Sequence, residues 1–349
     1  MSINYYFIHE FGEKLMNTKE LNRVAKHMVM AEKGILAADE STGTIKKRFD
    51  SIHLDSSEEN RRDWRQLLFQ TKTISDYISG VILYDETLRQ STSDGEKFVD
   101  LLNKNDILPG IKVDKSTHPL ALSEGEVITE GLDGLRERLE EYLEIGAKFT
   151  KWRAVINIGE KIPSDYAINT NSYLLSLYSA LSQEVGLVPI VEPEVLMDGD
   201  HSIDKCSEVT AKTLKKVFED LSESNVYLPG IVLKPNMVLS GKDAKKRANS
   251  KIVAKYTVDV LEETVPNDVP GIAFLSGGQE DQESIDNLNE INLYAINKKS
   301  PWELTYSYGR GLQAAPLKIW SGNKSNVLDA QNEFEKRGIS ASKARQGKY

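Results

Sequence analysis

Eight short apolar segments recur along the 349-residue chain, and their spacing limits the possible fold more than any other feature. Each segment is rich in β-branched and aliphatic residues, which is typical of buried strands. The segments span residues 35–41, 80–86, 110–114, 149–156, 187–196, 230–238, 271–278 and 302–310. Their starts lie roughly 30 to 45 residues apart, which is the size of a strand–helix unit. Eight such units predict a closed (β/α)8 TIM barrel of the α/β class.

Helical patterning fills the intervals between these segments. Within one of them, four apolar residues follow the i, i+3, i+4, i+7 spacing of a buried helix face: Leu214, Val217, Phe218 and Leu221. An open doubly wound sheet is the alternative, but no G-x-G-x-x-G turn follows an early strand. No low-complexity linker divides the chain. We therefore expect one barrel domain over residues 1–339, with a helical lead-in at 1–20 and a flexible polar tail at 340–349.

Charge and composition exclude several classes of function. The net charge of −9 disfavours nucleic acid and anionic membrane surfaces as main partners. The single cysteine, Cys206, excludes an internal disulfide framework and a cysteine-rich zinc site, and is expected to be a buried small side chain. No segment approaches 18 apolar residues and no secretory signal precedes the first strand. The sequence predicts a soluble cytoplasmic protein.

Charged residues interrupt five of the predicted strands near their carboxyl ends. Residues i and i+2 of a strand share a face, so each strand places its charges together. The charges are Asp39 on the first strand, Lys112 and Asp114 on the third, Lys151 and Arg153 on the fourth, Glu192 and Glu194 on the fifth, and Lys234 on the sixth. Scattered salt bridges at strand ends are the alternative for any single pair. For all five strands together, an active site at the carboxyl mouth of the barrel is favoured.

Lys234 is the most informative of these charges because it lies inside the apolar run from residue 230 to 239. A buried ammonium group is costly unless it is paired or neutralised. A neutral lysine amine is a nucleophile for carbonyl carbon. The alternative is a lysine at a strand end whose ammonium group extends to water.

Two glycine-containing loops predict an anion site. Ser276 and Gly277 follow the seventh strand, and Gly309 and Arg310 follow the eighth. Glycines let backbone N–H groups approach an anion, and barrels often bind phosphate in these two loops.

A second anion site is predicted after the first strand, from Ser41 and Thr44 together with Lys112; a helix N-cap is the alternative there, and both interpretations are compatible. The five histidines are dispersed, and lysines are interleaved with the carboxylates, so we expect a site without metal.

Longer motifs resemble the class I fructose-1,6-bisphosphate aldolases. The matching segments are GILAADESTGTIKKRF (34–49), GIKVDK (110–115), AKFTKWRAVI (147–156), VPIVEPEVLMDGDHSIDKC (188–206), VLKPNMVLSGK (232–242), GIAFLSGGQ (271–279) and SYGRGLQAAPLKIW (307–320). They occur in the order and spacing of that family from about residue 20 to the end. Thr44 stands where serine is common in the family, and residues 1–16 match nothing assignable.

The resemblance implies a lyase that cleaves fructose 1,6-bisphosphate reversibly into dihydroxyacetone phosphate and glyceraldehyde 3-phosphate, without a metal or cofactor. It implies Lys234 as the Schiff-base lysine and Tyr349 as a terminal tyrosine that reaches the site on a mobile tail. The surrounding acid–base and electrostatic residues would be Asp39, Lys151 and Glu192, supported by Glu194 and Arg153. Ser276, Gly277, Gly309 and Arg310 would bind the C1 phosphate, and Ser41, Thr44 and Lys112 the C6 phosphate. A homotetramer that binds small sugar phosphates is also implied.

The base of the cleavage step and three alternative functions stay open at the level of sequence. Either Asp39 or Glu192 could remove the proton of the C4 hydroxyl. A Schiff-base lyase acting on a related phosphorylated sugar is an alternative function, although it needs only one phosphate site. A barrel that mainly binds another protein would not need an intact Lys234 or Glu192, and a metal-dependent aldolase would need clustered histidines.

Overall fold

The structure is a computed structural model that describes residues 16–349, and its ten strands form a closed barrel and one hairpin. The strands are β1 (Gly34–Ala38), β2 (Ile78–Leu83), β3 (Leu108–Lys112), β4 (Thr117–Pro119), β5 (Val127–Thr129), β6 (Phe149–Ile156), β7 (Val188–Val195), β8 (Val232–Leu233), β9 (Gly271–Phe274) and β10 (Glu303–Tyr308). All but β4 and β5 pair in parallel in the order β1-β10-β9-β8-β7-β6-β3-β2, and β1 closes the ring by pairing with β2. The predicted (β/α)8 barrel is confirmed.

Helices connect the strands and cover the outside of the barrel. They are α1 (Thr18–Met28), α2 (Thr42–Asp50), α3 (Glu58–Phe69), α4 (Ile74–Tyr77), α5 (Asp85–Arg89), α6 (Phe98–Lys104), α7 (Leu135–Ile145), α8 (Asp165–Val185), α9 (Ile203–Glu223), α10 (Ser250–Thr264), α11 (Asp281–Lys298), α12 (Arg310–Trp320) and α13 (Val327–Ala344). Short 3-10 turns span Leu228–Gly230 and Lys324–Asn326. The four apolar residues predicted to form one helix face are all buried on α9. No helix within residues 16–349 has the length and apolar character needed to span a bilayer.

The hydrophobic core has an inner and an outer layer. On β1, Ile35 and Ala37 belong to the inner cluster, whereas Leu36 and Ala38 pack in the outer cluster between strands and helices. This alternation follows from the two-residue period of a strand. Helix α1 contributes Leu21 and other apolar side chains to the inner layer. It therefore closes the amino-terminal end of the barrel and leaves the carboxyl end open.

The strand bounds differ from the predicted segments by a few residues, and two strands are much shorter than expected. The segment predicted as a strand over 230–238 pairs only at Val232–Leu233. Pro235 follows almost directly, and because proline has no N–H to donate, the chain leaves the sheet there. The segment predicted over 271–278 pairs only to Phe274, before its glycine loop begins. The β4–β5 hairpin was not predicted, because its strands have three residues each and their side chains are partly exposed.

Both predicted terminal segments can be compared with the structure only in part. The lead-in proposed at 1–20 lies largely outside the described residues, and α1 begins at Thr18. At the other end, α13 continues to Ala344, beyond the boundary proposed at 340, because its last turn is anchored. The buried Arg345 donates to Glu303 Oε2 at 2.6 Å and to the carbonyl oxygens of Met30 and Lys33. The last residues then run along α11, where Tyr349 N donates to Asn289 Oδ1 at 3.0 Å.

Candidate active site

A polar cavity of about 650 Å³ opens at the carboxyl ends of the barrel strands. Charged residues lie there on or just after β1, β3, β6, β7 and β8, and α1 fills the opposite end of the barrel. Seven lysine and arginine side chains line the cavity: Arg48, Lys112, Lys151, Arg153, Lys234, Lys242 and Arg310. Six carboxylates also line it: Asp39, Glu40, Asp114, Glu192, Glu194 and Asp198. The cavity is therefore a charged site built mainly on rigid strand ends.

A chain of alternating charges occupies the centre of the cavity. Lys151 Nζ lies 3.0 Å from Asp39 Oδ2 and 3.0 Å from Glu192 Oε2. The other oxygen of Glu192 lies 3.2 Å from Lys234 Nζ. Lys151, Glu192 and Lys234 are all at most 5% exposed. One carboxylate thus bridges two buried lysines that come from different strands.

The neighbouring charges fix the ionisation of two of these groups. Burial opposes the ionised form of Asp39, but the ammonium groups of Lys151 and Lys234 outweigh it and hold the pKa of Asp39 well below its usual range. Burial likewise opposes the charged form of Lys151, but Asp39 and Glu192 hold its pKa well above the usual lysine value. Asp39 is therefore an anion and Lys151 a cation at neutral pH.

Arg153 and Glu194 form a second pair beside the first. Residues 153 and 155 of β6 lie in register with 192 and 194 of β7, which brings the two charged side chains together. Burial disfavours the charged guanidinium, yet Glu194 and Glu192 raise the pKa of Arg153 further above its ordinary value. The pair holds the carboxylate of Glu194, only 5% exposed, at the cavity wall.

The backbone around Lys234 is held from both sides although the strand ends there. Lys234 N donates to Val191 O at 2.8 Å, and Pro235 O accepts from Leu275 N at 3.2 Å. After Pro235, the buried side chain of Asn236 supplies a hydrogen bond that a longer β8 would make to β7, because its Oδ1 accepts from Val195 N at 3.0 Å. The lysine is therefore fixed at its Cα even though β8 has only two paired residues.

The loop after β9 has the geometry of an anion site. Gly277 has a φ of 53°, a left-handed conformation that favours glycine. Its carbonyl accepts from Arg310 Nη2 at 2.7 Å, which joins this loop to the one after β10. Ser276 and Gly309 complete this wall of the cavity. A Cβ at Gly309 would lie 3.2 Å from Ala37 O, so a side chain there would crowd that carbonyl.

The loop after β1 carries the second predicted group. Ser41 caps α2 and its Oγ lies 3.1 Å from Thr44 Oγ1, so the helix-cap interpretation is correct and both hydroxyls still line the cavity. Lys112 reaches the same side and is paired with Asp114. The N-terminus of α2, with two hydroxyls and a lysine beside it, suits a negatively charged ligand.

Fourteen residues were predicted for the site, and thirteen of them line the cavity. The exception is Tyr349, whose hydroxyl lies 3.2 Å from Gln282 Nε2 on the first turn of α11. The tail thus reaches the active-site face of the barrel but stays outside the cavity.

Several cavity residues were missed by sequence reasoning. Arg48 follows Thr44 by one helical turn, so the i, i+4 spacing on α2 could have revealed it. Ser307 precedes Gly309 by two positions on β10, and its buried hydroxyl has no hydrogen-bond partner within residues 16–349. Lys242 lies in an irregular loop, where no periodicity gives a signal.

A buried network supports the loop after β1. Glu40 accepts from Arg65 Nη2 at 2.6 Å and also pairs with Arg48. Gln313 on α12 donates to Glu40 Oε1 at 3.1 Å and to Ala37 O at 2.7 Å. This network fixes the backbone next to Asp39. Within the described part of the chain, no group of three or more His, Cys, Asp or Glu side chains is arranged as a set of metal ligands.

Comparisons with known proteins agree on one family. The family model described as "Fructose-bisphosphate aldolase class-I" matches residues 20–349. A protein of Xanthomonas campestris pv. campestris, "Probable fructose-bisphosphate aldolase class 1", is 51% identical over 335 residues, which cover 96% of this chain and 99% of that protein. "Fructose-bisphosphate aldolase 4, cytosolic" of Arabidopsis thaliana is 50% identical, covering 96% of this chain and 85% of the plant protein.

A solved structure is similar over the same region. It is the fructose-bisphosphate aldolase of Plasmodium falciparum, in complex with TRAP and a small-molecule inhibitor. The TM-score is 0.93 and the identity 47%, with 95% of each chain covered.

Proposed function

The chain belongs to the class-I fructose-bisphosphate aldolase family, and we propose that Lys234 is the lysine through which it forms a Schiff base with its substrate. The enzyme is a metal-independent lyase that cleaves fructose 1,6-bisphosphate reversibly into dihydroxyacetone phosphate and glyceraldehyde 3-phosphate. This reaction belongs to glycolysis and gluconeogenesis. We assign its steps to individual side chains from their contacts in the cavity.

The arrangement around Glu192 carries the assignment of the nucleophile. Lys151 is held by two carboxylates and stays protonated, so it is unsuited to attack a carbonyl group. Lys234 contacts one carboxylate, Glu192, at 3.2 Å. A deprotonated Lys234 amine adds to the C2 ketone, and the ketone oxygen takes up a proton to give a carbinolamine. Glu192 is positioned to move the protons that convert this hydroxyl into departing water.

Cleavage then uses the iminium group as an electron sink. Removal of the C4 hydroxyl proton allows the C3–C4 bond to break, and its electron pair moves to the iminium to form an enamine. Asp39 is our choice for the carboxylate essential to this step, because it lines the cavity beside Lys234 and lies 3.0 Å from the Lys151 ammonium group. Glu192 is the other candidate base. The Lys151 cation lies between the two and stabilises negative charge that develops there.

The two anion sites account for the two phosphates of the substrate. The C1 phosphate is assigned to Ser276, Gly277, Gly309 and Arg310, beside the end of β8 that carries Lys234. The C6 phosphate is assigned to Ser41, Thr44 and Lys112 on the far side of Asp39, with Arg153 lining the same cavity. A homotetrameric state and a cytoplasmic location are part of this proposal; similar proteins of Arabidopsis and spinach are named cytosolic and cytoplasmic.

Borohydride trapping tests the assignment directly. The protein is incubated with dihydroxyacetone phosphate, reduced, digested and analysed by peptide mass. We expect a stable adduct on Lys234, absent from Lys234→Met, and cleavage activity that persists in EDTA. An adduct on Lys112 or Lys151 instead would show that the nucleophile is misassigned. A panel of mono- and bisphosphorylated sugars, assayed in parallel, separates this function from that of a lyase for a related sugar.

A further inference from the structure

Positive charge in the cavity is neutralised unevenly. Five of the seven cations that line it lie within 4.0 Å of a carboxylate: Arg48, Lys112, Lys151, Arg153 and Lys234. Arg310 and Lys242 have no carboxylate partner within that distance among residues 16–349. Uncompensated positive charge attracts an anionic ligand. Arg310 and Lys242 are therefore the two cavity cations available to pair with an anionic ligand.

These two cations lie on either side of one loop. In the barrel, β9 lies between β8 and β10, so the loop Ser276–Gly278 after β9 has the segment after β8 on one side and the loop after β10 on the other. Arg310, after β10, donates to Gly277 O at 2.7 Å. Lys242, after β8, donates its backbone N–H to Met197 O at 2.7 Å. A Cβ on Gly278 would lie 2.8 Å from Met197 Sδ. Met197, which accepts the hydrogen bond from Lys242, therefore also packs against the glycine loop.

The backbone of Lys242 is fixed although its side chain is exposed. Gly241 N donates to His201 O at 2.8 Å and Asp243 N to Gly199 O at 2.9 Å, which ties the segment after β8 to the loop after β7. The two loops approach so closely that a Cβ on Gly241 would lie 2.3 Å from Gly199 O. Lys242 is consequently held at the cavity wall, and only its side chain is free to move toward a ligand.

We propose that Lys242 is a second cationic arm of the anion site at Ser276–Gly278, and that it contacts the C1 phosphate from the side opposite Arg310. This proposal rests on the proposed function, because it takes that loop as the C1-phosphate site. A lysine ammonium group donates charge-assisted hydrogen bonds to phosphate oxygens, and its reach suits a phosphate at the cavity rim. The competing interpretation is a solvated surface lysine with no contact to the substrate.

Two neighbouring lysines provide a matched control. Lys245 and Lys246 are exposed on the same segment, and neither lines the cavity. Replacing any one of the three by glutamine removes the same charge, so a general effect of net charge appears equally in all three variants. Only Lys242→Gln removes a cation from the cavity wall.

The experiment measures KM for each triose phosphate separately, in the direction of aldol condensation. Dihydroxyacetone phosphate carries the C1 phosphate, and glyceraldehyde 3-phosphate carries the C6 phosphate. We expect Lys242→Gln to raise KM for dihydroxyacetone phosphate about 5- to 10-fold. The increase is limited to this range because solvent and salt weaken contacts between exposed charges. KM for glyceraldehyde 3-phosphate and kcat are expected to change less than about 2-fold. The KM increase should shrink as ionic strength rises, and Lys242→Arg should restore most of the affinity.

Each other outcome overturns the proposal. Equal effects of Lys242→Gln, Lys245→Gln and Lys246→Gln would show that the cavity position is irrelevant. A larger effect on glyceraldehyde 3-phosphate would place Lys242 at the other end of the substrate. Borohydride trapping on wild-type protein separates this result from a failure of the proposed function: an adduct on Lys234 with an unchanged KM in Lys242→Gln rejects only the role of Lys242.

Discussion

Replacing Lys151 with methionine should destabilise the enzyme far more than the loss of a surface charge. The substitution keeps a long unbranched side chain but leaves the carboxylates of Asp39 and Glu192, each 3.0 Å from the ammonium group, without their shared cation. Glu192 keeps its contact with Lys234, but Asp39 is left without an ion-pair partner within 4.0 Å among residues 16–349. Leaving one partner of a buried ion pair without its counter-charge costs about 3–5 kcal/mol.

The expected shift of the melting temperature follows from the size of the chain. An unfolding entropy of about 2.1 cal/mol/K per residue over 349 residues makes 1 kcal/mol equivalent to about 1.4 °C. The Lys151→Met variant should therefore melt about 4–7 °C below the wild type at pH 7. Differential scanning fluorimetry at equal protein concentration measures this shift without ligand. Lys255→Met is the matched control, because it breaks only an exposed pair with Asp259 and should leave the melting temperature nearly unchanged.

The pH dependence of the deficit tests its electrostatic origin. In the wild type the pKa of Asp39 is lowered, so its stabilising effect is present above the unfolded carboxyl value of about 3.9 and is lost as pH falls through the lower folded value. The pKa of Lys151 is raised, so its contribution is present below about 10.4 and is lost only as pH rises through the higher folded value. In Lys151→Met, Asp39 takes up a proton more readily, and the deficit should shrink as pH falls from 7 to 5. A deficit equal to that of Lys255→Met, or one independent of pH, would refute the reasoning.

Three further perturbations test other parts of the site. Asn236→Ala leaves the buried Val195 N–H without its acceptor and should lower the free energy of unfolding by about 1–3 kcal/mol in denaturant titrations. It should also slow formation of the Lys234 adduct. An unchanged denaturation midpoint would show that water replaces the amide. Gly277→Ala places a Cβ at a residue with a φ of 53° and should cost about 1–2 kcal/mol of stability. It should also raise KM for dihydroxyacetone phosphate, and an unchanged KM would argue against the loop as a phosphate site. We also propose that the Tyr349 hydroxyl protonates the enamine carbon, a role that requires the tail to leave α11. Tyr349→Phe should then slow turnover with normal trapping on Lys234, and an unchanged kcat would exclude that role.

The site residues that lie on strands could be predicted, because the two-residue period of a strand depends only on the local backbone. Glu192 and Glu194 had to share a face of β7 whatever the strand's neighbours, and both line the cavity. Lys242 could not be predicted in the same way, since its position depends on hydrogen bonds to the loop after β7, more than forty residues earlier in the chain. The early end of β8 was also missed, although Pro235 marks it, because the apolar run continues past the proline.

The barrel, the faces of its strands and the residue types available for chemistry follow from periods of two and 3.6 residues and from the identity of each side chain, so they could be predicted from the sequence. Which charges pair with one another depends on the folded chain. Asp39, Lys151, Glu192 and Lys234 belong to four strands or their carboxyl ends, far apart in the chain, and closure of the sheet brings their side chains to 3.0–3.2 Å separations. The same closure leaves Arg310, just after β10, without a carboxylate within 4.0 Å among residues 16–349, because distances between strand ends are set by the ring and not by the chain.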